Sequence, residues 1–235
     1  KAHTAGGPHT LQLKASNEIN LSDILFGDVW VCSGQSNMEL WMGRLKYKYK
    51  DEIAKANNSS IRQFLVPDAY DFKNPKQDMA AGEWLAVNSK NILDFSGVAY
   101  FFAKEINEKY HIPIGIINSA LGGSPAQSWI SEEGLQIFPE YLNEARRFKD
   151  DLLIKEIESN DQKVSNAWYN YTSIFDEGIV NQWSNINIDE NNWKTMNLPG
   201  YWADQTLRNT NGVVWFRKNI TVPKSMLGTD VKLEL

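Results

Sequence analysis

In Asp28-Val29-Trp30-Val31-Cys32-Ser33-Gly34-Gln35-Ser36-Asn37-Met38 an apolar, β-rich run from Val29 to Cys32 stops at Ser33-Gly34. Beyond it Met38, Leu40, Trp41 and Leu45 recur at roughly helical spacing. The pattern predicts a buried strand, a tight turn and a helix start, with Ser36 at or just before the helix N-terminus. First-turn N–H groups and the positive end of a helix stabilise negative charge, which suits a hydroxyl that must become an alkoxide. The plainer reading of such a serine is an N-cap, and caps are far commoner than nucleophiles.

Upstream, Leu11 and Leu13 alternate with Gln12 and Lys14 in a half-buried strand pattern that follows the turn cluster Gly6-Gly7-Pro8. Residues 1–26 carry no start signal and read as the end of a preceding β segment. Downstream, residues 44–50 (Arg-Leu-Lys-Tyr-Lys-Tyr-Lys) interleave basic side chains with tyrosines. Such a stretch can contact glycan or nucleic acid, but a solvated loop or helix end is the simpler reading. Residues 61–66, closed by Pro67, read as a second strand, and residues 67–94 as a long surface loop. From Phe95 the period turns helical, with Val98, Phe101, Phe102, Ile106 and Tyr110 on one stripe. His111-Ile112-Pro113 ends that helix, Ile114 to Asn118 is a buried strand, and Leu121-Gly122-Gly123-Ser124-Pro125 is a tight loop. Strand, helix, strand in this order implies a parallel sheet with right-handed crossovers, in which ligands bind at the carboxyl ends of strands. Ser36 and Asn118 both fall at such ends and can share one site.

Composition excludes several classes. With 235 residues, 42% hydrophobic and nine Trp, the chain is large enough for one sizeable core and part of another. No run approaches the ~18 apolar residues of a membrane span, and the first residues have no signal pattern. A periplasmic or secreted location is expected, with no signal visible in this sequence. A net charge of −5 argues against nucleic-acid binding. A single cysteine, Cys32, excludes an internal disulfide and a multi-cysteine metal site, and reads as an inert core residue. No metal or organic cofactor is expected.

Gly34-Gln35-Ser36-Asn37-Met38, with the strand from Gly27 that leads into it, resembles the nucleophile block of the sialate O-acetylesterase family, carbohydrate esterases within the SGNH hydrolases. The likeness extends over most of residues 20–135 and resumes near residue 183 in a different domain. It implies that Ser36 attacks an acetyl ester. Residues 118–129, from Asn118 to Trp129, are similar to the family's second motif, a Gly-Gly turn followed by a Trp. An acyl-transfer serine needs donors aimed at the oxyanion. The Ser36 N–H, the Asn118 side chain and the Gly97 N–H are the candidates, Gly97 standing where SGNH enzymes would put that glycine. A strand-end cap for Asn118 and a packing role for Gly97 are the simpler readings of those two. Gln35, Gly123 and Gln127 are the expected substrate contacts, although Gln127 could instead pin the Gly-Gly loop.

The base is missing. Only three histidines occur, and His111, just before the strand that ends at Asn118, lies about 20 Å from Ser36 at ~3.3 Å per residue. His3 and His9 belong to the incoming β segment. The family carries acid and base in a downstream Asp-x-x-His motif that this sequence lacks, so the resemblance implies that the C-terminal remainder of the polypeptide is needed.

Residues 132–175 read mainly as helix, interrupted near Gly134 and Pro139, and from Gln182 onward Trp, Asn and Gly dominate. Trp193 to Trp202 and Gly212 to Pro223 resemble the sugar-binding-like jelly-roll domain of family 2 glycoside hydrolases. Trp193, Trp202 and Trp215 could stack on sugars or form core. Val231 to Leu235 is an alternating strand without a partner, so the sequence reads as a fragment. The expected organisation is the end of a β domain over 1–19, an incomplete α/β, SGNH-like parallel-sheet hydrolase core over 20–178, and the first part of an inserted β-sandwich over 179–235. The expected function is removal of O-acetyl groups from carbohydrates, sialic acids being the family's name substrate. The alternatives are an acetyl esterase acting on plant polysaccharide and a catalytically silent glycan-binding module.

Overall fold

Two strands, β1 (Gly6–Lys14) and β2 (Glu18–Phe26), pair antiparallel with Leu13 opposite Ile19 and Leu11 opposite Leu21. The structure, a computed structural model, describes residues 3–69 and 71–228, which fall into two compact units, residues 1–150 and 151–235. The hairpin is closed by its cross-strand register, so the boundary expected at residues 19 and 20 falls inside β2. At its far end His3 stacks on Phe26 and His9 meets the same ring at a tilt, with ring centroids 4.5 and 5.1 Å away.

The main sheet of the first unit contains β3 (Asp28–Gly34), β4 (Asn57–Leu65), β5 (Trp84–Asn88) and β6 (Ile114–Ala120) in the order β3-β6-β4-β5. β6 runs parallel to both β3 and β4, as the sequence pattern implies, while β5 closes one edge antiparallel to β4. That edge strand lies inside the stretch expected to be all loop. Five residues held only by pairing with β4 carry little periodic signal of their own.

Helices α1 (Ser36–Glu39), α2 (Lys50–Lys55) and α3 (Gly97–Tyr110) follow β3 and precede β6. Ser96 caps α3, its Oγ accepting from Ala99 N–H at 3.2 Å, while its own N–H donates to Gln63 Oε1 at 3.1 Å. Gln63 Nε2 donates in turn to the Asp94 carbonyl, so a buried polar chain locks the helix start to β4. The face of α3 that meets the sheet is Ala99, Tyr100 and Ala103; Val98, Phe102 and Tyr110, expected on the buried stripe, stay substantially exposed. Small residues let the helix lie close to Ile61, Ile114 and Ile116, and Phe102 turns aside to meet Trp30 edge-on at 5.1 Å. Each large apolar side chain fully buried here contributes ~1.5–3 kcal/mol. His111 ends α3 in the left-handed region with φ 56°.

Tyr100 donates to Glu52 Oε1 at 2.5 Å and Lys104 Nζ reaches both Glu52 oxygens, tying α2 to α3. The opposite face of the sheet is bare at β3: Val29 and Val31 are 60% and 69% exposed, and β3 is itself an edge strand. Between α1 and α2 the basic stretch forms a short 3₁₀ turn with local pairs, Arg44 over Trp41, Lys46 over Tyr47 and Lys48 over Tyr49. The first unit ends with α4 (Pro139–Arg147), begun by its proline at the helix start.

The second unit holds α5 (Asp151–Phe175) and α6 (Glu177–Val180). Trp215 lies on Gly178, where a Cβ would sit 2.2 Å from the indole, and donates to Asp176 Oδ1 at 2.8 Å. Trp183 meets Trp193 and Trp215 edge-on, and Trp202 donates to the Thr210 carbonyl, so these indoles serve packing. The strands expected at residues 212–223 do not form: no described segment supplies their ladder hydrogen bonds. The strand expected at 231–235 lies outside the described residues. The observed fold is thus a mixed α/β core whose sheet contains parallel strands. No helix among the described residues is long and apolar enough to cross a membrane.

Candidate active site

The parallel register of β3 and β6 brings Gly34 beside Ala120, and both chains leave the sheet at the same end. Leu121 N–H donates to the Gly34 carbonyl at 3.0 Å, so the loop after β6 is held against the turn after β3. Ser36 is the first residue of α1; the cap position is Gln35, which makes no side-chain capping bond. The serine is exposed and is not consumed as an N-cap. Because α1 is a single turn, its dipole adds little, and what the turn offers an anion is free first-turn N–H groups.

Gly122 is the residue that meets Ser36. A Cβ built on Gly122 would lie in ordinary contact, 3.4 Å, with Cα and Cβ of Ser36, and 2.5 Å from Glu39 Oε2, so a side chain there would displace the Glu39 carboxylate. Gly123 follows with φ +79° and open space around it, a conformation that also favours glycine. Three side chains pin this loop. Glu39 Oε2 accepts Gly122 N–H at 2.6 Å. Gln35 Nε2 donates to the Ser124 carbonyl. Trp129 Nε1 donates to Ser124 Oγ at 2.9 Å, and that hydroxyl donates to the Leu121 carbonyl at 2.6 Å. Gly123 N–H has no acceptor among the described residues.

Two of the three expected oxyanion donors are placed elsewhere. Gly97 N–H donates to the Leu40 carbonyl at 2.8 Å, and its Cα packs under Leu45 and Met42, so it serves the start of α3. Asn118 stands in the row of Cys32, two residues before β6 ends, 1% exposed, with Oδ1 unpartnered. It is a core residue beneath the site rather than a cap at its rim. Gln127 sits half-buried in the 3₁₀ turn Ala126–Trp129, and the loop is pinned without it. Glu39, missed in the sequence, was legible in one respect: at i+3 it shares a helix face with Ser36. Burial pushes the Cys32 thiol above its ordinary pKa, which keeps this neighbouring sulfur unreactive.

All three histidines of the chain lie at the other end of the sheet. His111 precedes the first residue of β6, and His3 and His9 pack against Phe26, two residues before β3 begins. β3 spans seven residues. At ~3.3 Å each the strand separates Phe26 from Ser36 by roughly 20 Å.

Comparison with known proteins gives the family. The family described as "Carbohydrate esterase, sialic acid-specific acetylesterase" matches residues 26–159, more than half of the chain. Sialate O-acetylesterase of Homo sapiens is 29% identical over 143 residues, covering 56% of this chain and 27% of that protein. The Rattus norvegicus protein of the same name is 29% identical over 147 residues, 56% of this chain and 26% of its own. The chain therefore spans about a quarter of the length of these curated relatives. A carbohydrate acetylesterase from Xanthomonas citri of known crystal structure is 38% identical with a TM-score of 0.54, covering 57% of this chain and 31% of that one. The matched segment contains β3, Ser36 and the whole Gly122–Gly123 loop, and on this evidence the chain belongs to the sialic acid-specific acetylesterase family of carbohydrate esterases.

Proposed function

We propose that this chain carries the nucleophile and oxyanion half of a serine esterase that removes O-acetyl groups from sialic acids. The observation that carries the reading is the exposed Ser36 at a strand-to-helix turn, with Gly122 so near that a Cβ added there would touch Ser36 at 3.4 Å. Ser36 Oγ attacks the acetyl carbonyl, and its proton passes to an imidazole. The negative charge that develops on the carbonyl oxygen is met by the Ser36 and Gly123 amides. The bond to the sugar oxygen then breaks, the imidazole returns the proton to that oxygen, and water releases acetate from the acyl-serine by the same steps in reverse. No histidine of this chain is near enough to serve, so the imidazole comes from polypeptide outside residues 1–235.

A carboxylated sugar also suits the exposed Arg44, Lys46, Lys48 and Lys50, which lie between the end of α1 and the start of α2, better than a neutral polysaccharide does. The relatives named sialate O-acetylesterase support the same substrate. The test is acetate release by the full-length protein from O-acetylated sialic acid and from an acetylated neutral glycan, with and without Ser36→Ala. The reading requires a preference for the sialic acid and its loss in the variant. Undiminished release by Ser36→Ala would refute it.

A further inference from the structure

The contact between Glu39 and Gly122 spans 83 positions of sequence and joins the helix that carries Ser36 to the loop that covers it. We infer that Glu39 is a positioning residue of the oxyanion site: its carboxylate takes the Gly122 amide and fixes the Gly122–Gly123 peptide against Ser36. This inference rests on the esterase reading above.

Three observations converge on it. Glu39 is part-buried one helical turn after Ser36, so its side chain projects from the same face of α1 toward β6. Its Oε2 is 2.6 Å from the Gly122 nitrogen, the short distance of a charge-assisted bond, which exceeds a neutral one in strength. The room for that oxygen is the room a Cβ on residue 122 would fill, since such a Cβ would lie 2.5 Å from Oε2. Glycine at 122 and glutamate at 39 are therefore two halves of one fitting.

The consequence is a division of labour within the loop. Gly122 N–H is taken by Glu39, while Gly123 N–H, next along the chain at φ +79°, is left without an acceptor among the described residues. An oxyanion donor acts only if it is held in place before charge develops. Gln35 and Trp129 hold the loop through Ser124, on the far side of Gly123. On the near side the Leu121 N–H bond to the Gly34 carbonyl holds the chain one residue earlier, so without Glu39 the Gly122–Gly123 peptide itself would lose its direct anchor. Because the bond is already made before substrate arrives, its loss should slow the chemical step without weakening ground-state binding.

Glu39→Gln and Glu39→Asp in the full-length protein separate this role from its rivals. Gln keeps the length and an oxygen acceptor but loses the charge; Asp keeps the charge but is one methylene too short to reach Gly122. The expected result is that Gln retains most of the turnover. Asp should lower kcat on p-nitrophenyl acetate by ~10²-fold with KM nearly unchanged, the scale of a lost oxyanion donor. Turnover should be counted per serine titratable by a fluorophosphonate, so that misfolded protein does not enter the rate. The reverse order, with Asp active and Gln inactive, would overturn positioning in favour of a role for the charge. Equal and near-normal turnover in both would also overturn it. In either case Ser36→Ala reports separately on the esterase reading, since it must be inactive if that reading holds.

Discussion

Asn118 lies directly beside Cys32 in the parallel register of β3 and β6, both buried, with Ser36 four residues beyond the cysteine in the chain, past the end of β3. The pairing places the asparagine under the site rather than at its mouth. Its Oδ1 has no partner, an arrangement that costs free energy in a core.

Replacing Asn118 by leucine, of the same branched shape though larger, therefore removes an unsatisfied oxygen. The melting temperature of Asn118→Leu is expected to equal or exceed that of the parent, and turnover to fall less than tenfold. A loss of ~10²-fold in kcat at constant KM would instead make the Asn118 amide an oxyanion donor.

A second expectation concerns the imidazole. A fluorophosphonate probe should modify Ser36 in the full-length protein rapidly, and in the isolated 1–235 polypeptide only slowly, because an unassisted serine hydroxyl stays protonated at neutral pH. Mass spectrometry of the labelled peptide gives the site. Equal labelling rates in the two proteins would return the base to residues 1–235 and force His3 and His9 back into consideration.

His111 offers a third, opposite in sign. It is exposed, at φ 56° and ψ 35°, where a side chain is strained and glycine is not. His111→Gly should stabilise the protein by about 1 kcal/mol in urea unfolding and leave acetyl-ester hydrolysis intact. A drop in hydrolysis would mean that this histidine acts in the reaction after all.

The fourth follows from the Glu52, Tyr100 and Lys104 network. Partial burial pushes the Glu52 carboxyl up, but hydrogen bonds from Lys104 and Tyr100, with the Lys104 charge, outweigh it and leave the pKa below its ordinary value of 4.5. Burial, then the bond to Glu52, raise the Tyr100 phenol above its ordinary value of 10.0. The lowered Glu52 pKa gives stability that is complete above 4.5 and is lost as pH falls through the folded value. The raised Tyr100 pKa gives stability that is complete below 10.0 and is lost as pH rises beyond it. Tyr100→Phe should thus cost ~1.5–3 kcal/mol across the neutral plateau, and less at pH 3. No difference in urea midpoints would show that Tyr100 contributes by packing alone, and a pH-independent one that its hydroxyl bond does not depend on the Glu52 charge.

Much of the fold was legible in local patterns. The apolar run before Ser33-Gly34 became β3, and the helix after Phe95 became α3, capped by Ser96. The strand β5 was hidden because its stability is borrowed from β4. The buried stripe of α3 was misjudged because bulk was taken for burial: Ala99 and Ala103 face the sheet because they are small, while Phe102 is displaced toward Trp30. At the site, Ser36 could be read from its turn. The role of Gly122 could not, since it depends on β6 ending beside β3 and on Glu39 reaching across, neither of which leaves a local trace.

The bare outer side of β3 bears on how this polypeptide behaves in a test tube. Val29 and Val31 are exposed beside a row of backbone amides and carbonyls with no strand alongside among the described residues, the combination on which extended chains of other molecules nucleate. Prepared as residues 1–235, the chain should form oligomers as its concentration rises, and a gatekeeper charge, Val31→Lys, should suppress them without touching Ser36. Solubility, rather than catalysis, is what that edge governs.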